Sequence, residues 1–234
     1  MIRIRPDEIK ILSNYIYNLS GISIDASKAY LLETRFGKIL EEEGCKSYSE
    51  FYHKAKSDAQ KVLEKKIINA ITTNETLFFR DNGPFDLLKF KILPDLIDAR
   101  SGGNGAQPGS SGLRIWSSAC STGQEIYSIA IVLKELLGSQ GRNPFTLMGT
   151  DLSDAAISQA SAGTYNKFEI ERGLSQEKLQ RYFVPSGGNW KIKDEIRAMA
   201  TFRRMNLMQP FVGLGKFDII LCRNVAIYFT LADR

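Results

Sequence analysis

The chain has 234 residues, 43% of them hydrophobic, enough to bury one sizeable α/β core together with a small accessory unit. Its net charge of +5 is modest and spread along the sequence, which argues against a nucleic-acid-binding arm, and no apolar run approaches the roughly 20 residues of a membrane span. The start MIRIRPDEIK is too charged for a secretory signal, so a cytoplasmic protein without direct membrane insertion is expected.

Cys45, Cys120 and Cys222 lie far apart and His53 is the lone histidine, so reduced, mostly buried thiols and no metal site are expected. Residues 1–72 read as helices only. Pro6 to Leu19 sets Ile9, Leu12, Ile16 and Leu19 on one stripe before Gly21 stops it, and Ser27 to Glu43 carries Leu32, Phe36 and Ile39. Ser47 with Glu50 is a capping-box signature for a third helix, and Leu63, Ile67 and Ile71 line a fourth. Arg35, Lys38, Lys54, Lys56, Lys61, Lys65 and Lys66 form charged faces that solvation alone would explain, and that phosphate or receptor binding would also suit.

Residues 73–112 read as a hinge and a connecting helix ending in a flexible loop. The hinge is TTNETLFFR, Thr72 to Arg80, a polar cluster with two aromatics and an arginine; a helix end capped by Thr73 and Asn74 would look the same. Asn82 to Ala99 predicts a helix with Pro84 in its first turn, and Ser101 to Gly112, SGGNGAQPGSSG, a surface loop.

Residues 113–234 read as an α/β sheet unit. In Leu113 to Ile131, LRIWSSACSTGQEIYSIAI, a short apolar strand runs through a small-residue turn into an amphipathic helix, the layout of a nucleotide-type ligand site. The turn has one glycine, Gly123, so it is neither GxGxxG nor a Walker sequence, and a cofactor without a pyrophosphate fits better; any strand-to-helix joint shares the layout. Phe145 to Thr150 is a second strand ending in Asp151, where a carboxylate can accept bonds from both hydroxyls of a ribose or cap the helix Ser153 to Ala162. Between Gly163 and Ala200 the pattern predicts a helix near Ser175 to Tyr182, a turn at Pro185 to Gly188 and a hairpin around Trp190 and Ile196. Thr201 to Leu207 reads as a short strand. Phe217 to Cys222 reads as a buried strand, with Arg223 to Tyr228 emerging from its carboxyl end, where ligands of open sheets sit.

Four of these segments resemble one family. WSSACSTGQEIYSIA resembles the glycine loop of the CheR-type chemotaxis protein-glutamate O-methyltransferases, TTNETLFFR their TTNxTxFFR segment, TDLS their Asp-bearing second strand and FDIILCRNVAIYF their FDxIxCRNVxIYF block. The resemblance implies a Rossmann-like S-adenosylmethionine-dependent methyltransferase sheet preceded by a small all-α N-terminal domain. It implies transfer of the methyl group to glutamate carboxylates on the cytoplasmic domain of chemoreceptors, with S-adenosylhomocysteine released and no metal or nucleic acid involved. Carried over residue by residue, it places Asn74, Thr76, Arg80, Gly123, Glu125, Asp151, Asn206, Leu207, Arg223 and Asn224 at the cofactor, Tyr228 at the transferred methyl, and receptor docking on Arg35 and Lys38 of the helical domain.

There are departures. Arg35 and Lys38 run into Glu41, Glu42 and Glu43, and Gln124 stands where the family pattern has an acid, so Glu125 inherits the acidic role. The family's sheet would continue past Arg234 through a fifth strand and a final hairpin, so the edge at the fourth strand is expected to be open. A monomer is expected. The alternative to the enzyme is a catalytically weak S-adenosylmethionine-binding sensor or scaffold; intact Arg80, Asp151, Asn224 and Tyr228 favour the enzyme, since an ionised carboxylate attacking a sulfonium methyl needs placement rather than a base.

Overall fold

The structure, a computed structural model, describes residues 2–101, 112–138 and 145–234. The surface loop expected over Ser101 to Gly112 lies, but for its two end residues, outside them. The fold is α/β with an all-α unit in front, as the patterns predict.

In the helical unit, α1 (Pro6–Ser20), α2 (Ala29–Glu42), α3 (Tyr48–Ser57) and α4 (Val62–Ile71) close around Leu12, Ile16, Leu32, Phe36, Leu40, Tyr48, Phe51, Leu63 and Ile67, all buried. Their ends are fixed by local chemistry. The Gly21 N–H closes α1 on the Tyr17 carbonyl with a left-handed φ of 75°, and the Ser47 hydroxyl accepts the Glu50 N–H at the start of α3. Buried Glu8 accepts the N–H groups of Arg5 and Ser49, both at 2.9 Å, and so ties the start of α1 to the start of α3.

The connecting helix is less regular than its sequence pattern: α5 (Gly83–Leu87) passes through a π-helical turn at Leu88–Ile92 into α6 (Leu93–Ser101). The sheet unit then runs β1 (Leu113–Ser117), α7 (Gln124–Leu137), β2 (Phe145–Asp151), α8 (Asp154–Ala162), β3 (Thr164–Tyr165), α9 (Lys167–Glu171), α10 (Gln176–Tyr182), β4 (Phe183–Ser186), β5 (Asn189–Ile192), α11 (Asp194–Arg197), β6 (Ala200–Arg204) and β7 (Ile219–Leu221). The main sheet is parallel in the order β6-β2-β1-β7. Ile115 of β1 sits between Leu147 of β2 and Ile219 of β7, and strand order reverses at β1, the point where open sheets form a ligand crevice. Buried Ile126, Ile129, Ala130 and Leu133 of α7 belong to the same core as β1 and β2.

Several expectations are corrected. β7 is three residues long and lies at an edge of the sheet among the described residues, in keeping with the open edge expected there, but it is not the buried strand expected over Phe217 to Cys222: Ile220 is 56% exposed and Cys222 is exposed. The expected strand Thr201 to Leu207 ends at Arg204, leaving Asn206 and Leu207 in the turn beyond it. Ile196 lies on α11, and the hairpin joins β4 to β5; with β3 it makes a second, antiparallel sheet in the order β3-β5-β4, whose two-residue β3 carried no strand signal.

The helical unit is fastened to the sheet unit by polar contacts. Tyr17 Oη donates to Asp233 at 2.9 Å, Ser23 N to the Tyr228 carbonyl at 2.9 Å, Asn206 Nδ2 to the Leu19 carbonyl at 2.9 Å, and Ser153 Oγ to Asn69 Oδ1 at 2.8 Å. Gly21 lies in the middle of this seam, where a Cβ would come within 2.5 Å of Met208 Sδ and 3.2 Å of the Phe229 ring. Gly21→Ala therefore combines a left-handed backbone with overpacking and should destabilise the protein by about 2 kcal/mol or more, lowering Tm by about 4–8 °C in a thermal melt. An unchanged Tm would mean that the seam is slack.

Candidate active site

β1, β2 and β7 end together, and the segment after β1 is stapled to its neighbours. Ser118 donates from both N and Oγ to the Leu221 carbonyl (2.8 and 3.0 Å), and Cys120 N donates to the Thr150 carbonyl at 2.9 Å. Gly123, with φ of 97°, turns the chain into α7; a Cβ there would meet Ala160 at 3.0 Å and the Tyr165 hydroxyl at 3.1 Å, so this position needs glycine for shape.

Over these strand ends lies a cleft with about 940 Å³ of empty space, its open mouth included. The structure brings Asn74, Thr76, Arg80, Glu125, Asp151, Asn206, Leu207, Arg223, Asn224 and Tyr228 to its wall, from five separate stretches of sequence. Gly123 is not among the lining residues. Sequence reasoning missed Ser118, Ala119 and Ser121, which lie inside a recognised motif. It also missed Ser20 and Ile22, which the helical unit supplies across the seam and for which no local signal exists.

Asp151 closes β2 and is a buried residue: Oδ2 accepts the Ser121 N–H and Oδ1 the Ser153 N–H, each at 2.9 Å. Burial pushes its pKa above the ordinary carboxylate value, and the backbone N–H groups only partly oppose this. Ser153 caps α8, so Asp151 is not the helix cap. Each carboxylate oxygen keeps acceptor capacity towards the cleft, the arrangement that reads a pair of ribose hydroxyls.

A second network holds the opposite wall. Glu125 accepts Ser117 Oγ at 2.8 Å and Arg223 Nη1 at 2.9 Å, while Arg223 Nη2 donates to the Arg80 carbonyl (2.8 Å) and to Asp81 (2.9 Å). Gln124 points elsewhere: its buried Oε1 accepts Thr122 Oγ1, and it does not line the cleft, so its lack of charge leaves the cleft's electrostatics to Glu75, Glu125, Asp151, Arg80 and Arg223. Burial drives the Cys120 thiol well above its ordinary pKa, which keeps it protonated and unreactive behind the loop. Non-glycine residues with left-handed φ gather here: Phe79, Asp81, Ser121 and Asn224, with only Lys61 elsewhere among the described residues. Such conformations cost about 1–3 kcal/mol each and concentrate where a site demands them.

Two family models match. The CheR methyltransferase all-alpha domain covers residues 7–72, and the CheR methyltransferase SAM-binding domain covers residues 74–234. The chain belongs to the CheR methyltransferase family. It is 40% identical to the chemotaxis protein methyltransferase Cher2 of Pseudomonas putida over 92% of this chain and 77% of that protein. It is also 40% identical to chemotaxis protein methyltransferase 1 of Pseudomonas aeruginosa over 95% and 80%, and 32% identical to a chemotaxis protein methyltransferase of Borreliella burgdorferi over 97% and 80%. It is thus an S-adenosylmethionine-dependent methyltransferase, and the cleft wall carries groups of the kinds that cofactor would need: the buried acid Asp151, the acid Glu125 and the guanidinium of Arg80.

The helical unit departs from expectation at Arg35. Its guanidinium donates to the Ala70 and Thr72 carbonyls (3.0 and 3.1 Å) and to Thr73 Oγ1 (3.2 Å), capping α4 and bracing the hinge, so it is not a free docking cation. Lys38 is exposed, 3.7 Å from Glu42. Lys54 and Lys66 both bond Glu43 and pull its pKa down to about 2, which leaves Lys56 and Lys65 without an ion pair among the described residues.

Because the folded-state pKa of Asp151 is raised, its contribution to folding is fullest below the unfolded pKa and is lost as pH rises past the folded one, so the charged form is kept at a cost to stability. Ligand hydroxyls need that charged form. S-adenosylhomocysteine affinity, measured by calorimetry, should fall on acidification at a pH above the ordinary 3.8 midpoint. Asp151→Ala should weaken binding by one or two charge-assisted hydrogen bonds, about 1.5–3 kcal/mol each, and flatten this pH dependence. An unaltered affinity would remove Asp151 from the site.

Proposed function

We propose that this methyltransferase esterifies glutamate side chains on the cytoplasmic domain of a chemoreceptor, acting in the cytoplasm and setting the receptor's adaptation. The observation that carries this reading is the convergence of Asp151, Arg80, Glu125 and Tyr228 on one cleft at the ends of the parallel strands. Bound S-adenosylmethionine supplies a sulfonium-activated methyl group. Asp151 holds the ribose, Glu125 faces the cationic portion, Arg80 receives the amino-acid carboxylate, and Asn206 and Leu207 flank the adenine. Asn206 is well anchored for this, since its side chain donates to Leu19 and accepts the Met208 N–H at 2.9 Å.

An ionised carboxylate would need no deprotonation to accept the methyl group that the cofactor would supply, so no proton would change hands. The pocket's work is alignment and exclusion of water, for which well-oriented reactions gain roughly 7–11 kcal/mol. Tyr228 lies in the turn after β7, where its carbonyl accepts the Ser23 N–H, and lines the cleft; on this reading its hydroxyl donates one hydrogen bond to the incoming carboxylate. The helical unit, residues 1–72, docks the receptor, with Lys38 contributing from the exposed face of α2 and Arg35 acting only through the hinge.

Tyr228→Phe should lower kcat for methylation of a receptor cytoplasmic fragment while leaving S-adenosylhomocysteine affinity within about twofold, the pattern of an interaction made mainly in the transition state. Full turnover with a lower Tm would make Tyr228 a packing residue. Lys38→Glu should raise the apparent KM for the receptor without changing cofactor affinity; if KM does not move, docking lies elsewhere.

A further inference from the structure

Arg80 stands on a segment of backbone that other elements hold in place. Its two neighbours, Phe79 and Asp81, have φ of 52° and 63°, a conformation that side chains with a Cβ resist. Each is restrained from outside the hinge. Asp81 takes Arg223 Nη2 at 2.9 Å, and the same guanidinium holds the Arg80 carbonyl. On the other side, Phe79 N donates to Ser128 Oγ of α7 at 2.9 Å. Ser128 is fully buried and its hydroxyl proton is spent on the Gln124 carbonyl at 2.7 Å, so the oxygen can face Phe79 only as an acceptor.

The side chain of Arg80 is less committed than its backbone. It donates to the Glu75 carbonyl at 3.1 Å and, among the described residues, has no carboxylate at ion-pair distance. The other cleft guanidinium, Arg223, is neutralised by Glu125 and Asp81. Arg80 is therefore the cation in the cleft with charge to spare for an anionic group.

We infer that Ser128 is a positioning residue for cofactor binding: by holding the left-handed Phe79, it aims Arg80 at the carboxylate of the cofactor's amino-acid end. The inference rests on the proposed assignment of the cleft. Ser128 does not line the cleft, so any effect it has on binding must travel through the hinge.

Calorimetry on the whole chain with two ligands tests this: S-adenosylhomocysteine, and 5′-methylthioadenosine, which lacks the amino-acid end. Ser128→Ala should weaken S-adenosylhomocysteine about tenfold and 5′-methylthioadenosine less than about twofold, and Arg80→Ala should do the same or more. The double variant should lose little beyond Arg80→Ala alone, since both changes remove one interaction. Equal losses for both ligands, or a lower Tm with the preference intact, would make Ser128 merely structural and overturn the inference. If Arg80→Ala erases the preference and Ser128→Ala keeps it, the Ser128 role alone fails; if Arg80→Ala leaves the preference untouched, the assignment of Arg80 fails and this inference with it. Should Ser128→Ala not fold, Ser128→Cys keeps the volume with a much weaker acceptor and is read in the same way.

Discussion

The structure turns on one buried carboxylate. Asp151 ends β2 in a place where a charge is costly, and the N–H groups of Ser121 and Ser153 hold it there. Those two bonds reach in opposite directions. Ser121 belongs to the loop after β1 and passes its hydroxyl to the Asn74 carbonyl in the hinge at 3.1 Å; Ser153 caps α8 and passes its hydroxyl to Asn69 in the helical unit. The loop, the hinge and the helical unit thus share one anchor, and a ligand that bonds Asp151 engages all three.

Charge is distributed around this anchor with a purpose that burial makes visible. Arg223 is saturated by two carboxylates and works as a brace, joining β7, α7 and the hinge, and its guanidinium also lies 5.6 Å from the centre of the Phe85 ring. Arg80 keeps spare charge. The cleft wall therefore holds Glu75, Glu125 and Asp151 together with one guanidinium, Arg80, that has no carboxylate at ion-pair distance among the described residues. On the proposed reading the nucleophile is ionised from the start, so none of the wall residues has to act as a base.

Much of this was legible in the sequence, for definite reasons. β1 and β2 are apolar runs that enter turns of small residues, so their ends, and with them Gly123 and Asp151, could be located from pattern alone. The cleft residues Asn74, Arg80 and Tyr228 carry no such pattern and were located through family resemblance. What remained hidden depends on contacts distant in sequence. Arg35 read as a surface cation because the carbonyls it caps, at Ala70 and Thr72, lie 35 and 37 positions away. The shares of Ser20 and Ile22 in the cleft wall and the brief β3 are likewise set by contacts between distant segments rather than by local periodicity.

The most direct test of the account is a crystal structure of the protein with S-adenosylhomocysteine. The account predicts both ribose hydroxyls within hydrogen-bond distance of the Asp151 carboxylate, the amino-acid carboxylate on Arg80, and Tyr228 facing the sulfur. A ligand bound elsewhere, or one in this cleft whose ribose leaves Asp151 untouched, would contradict it.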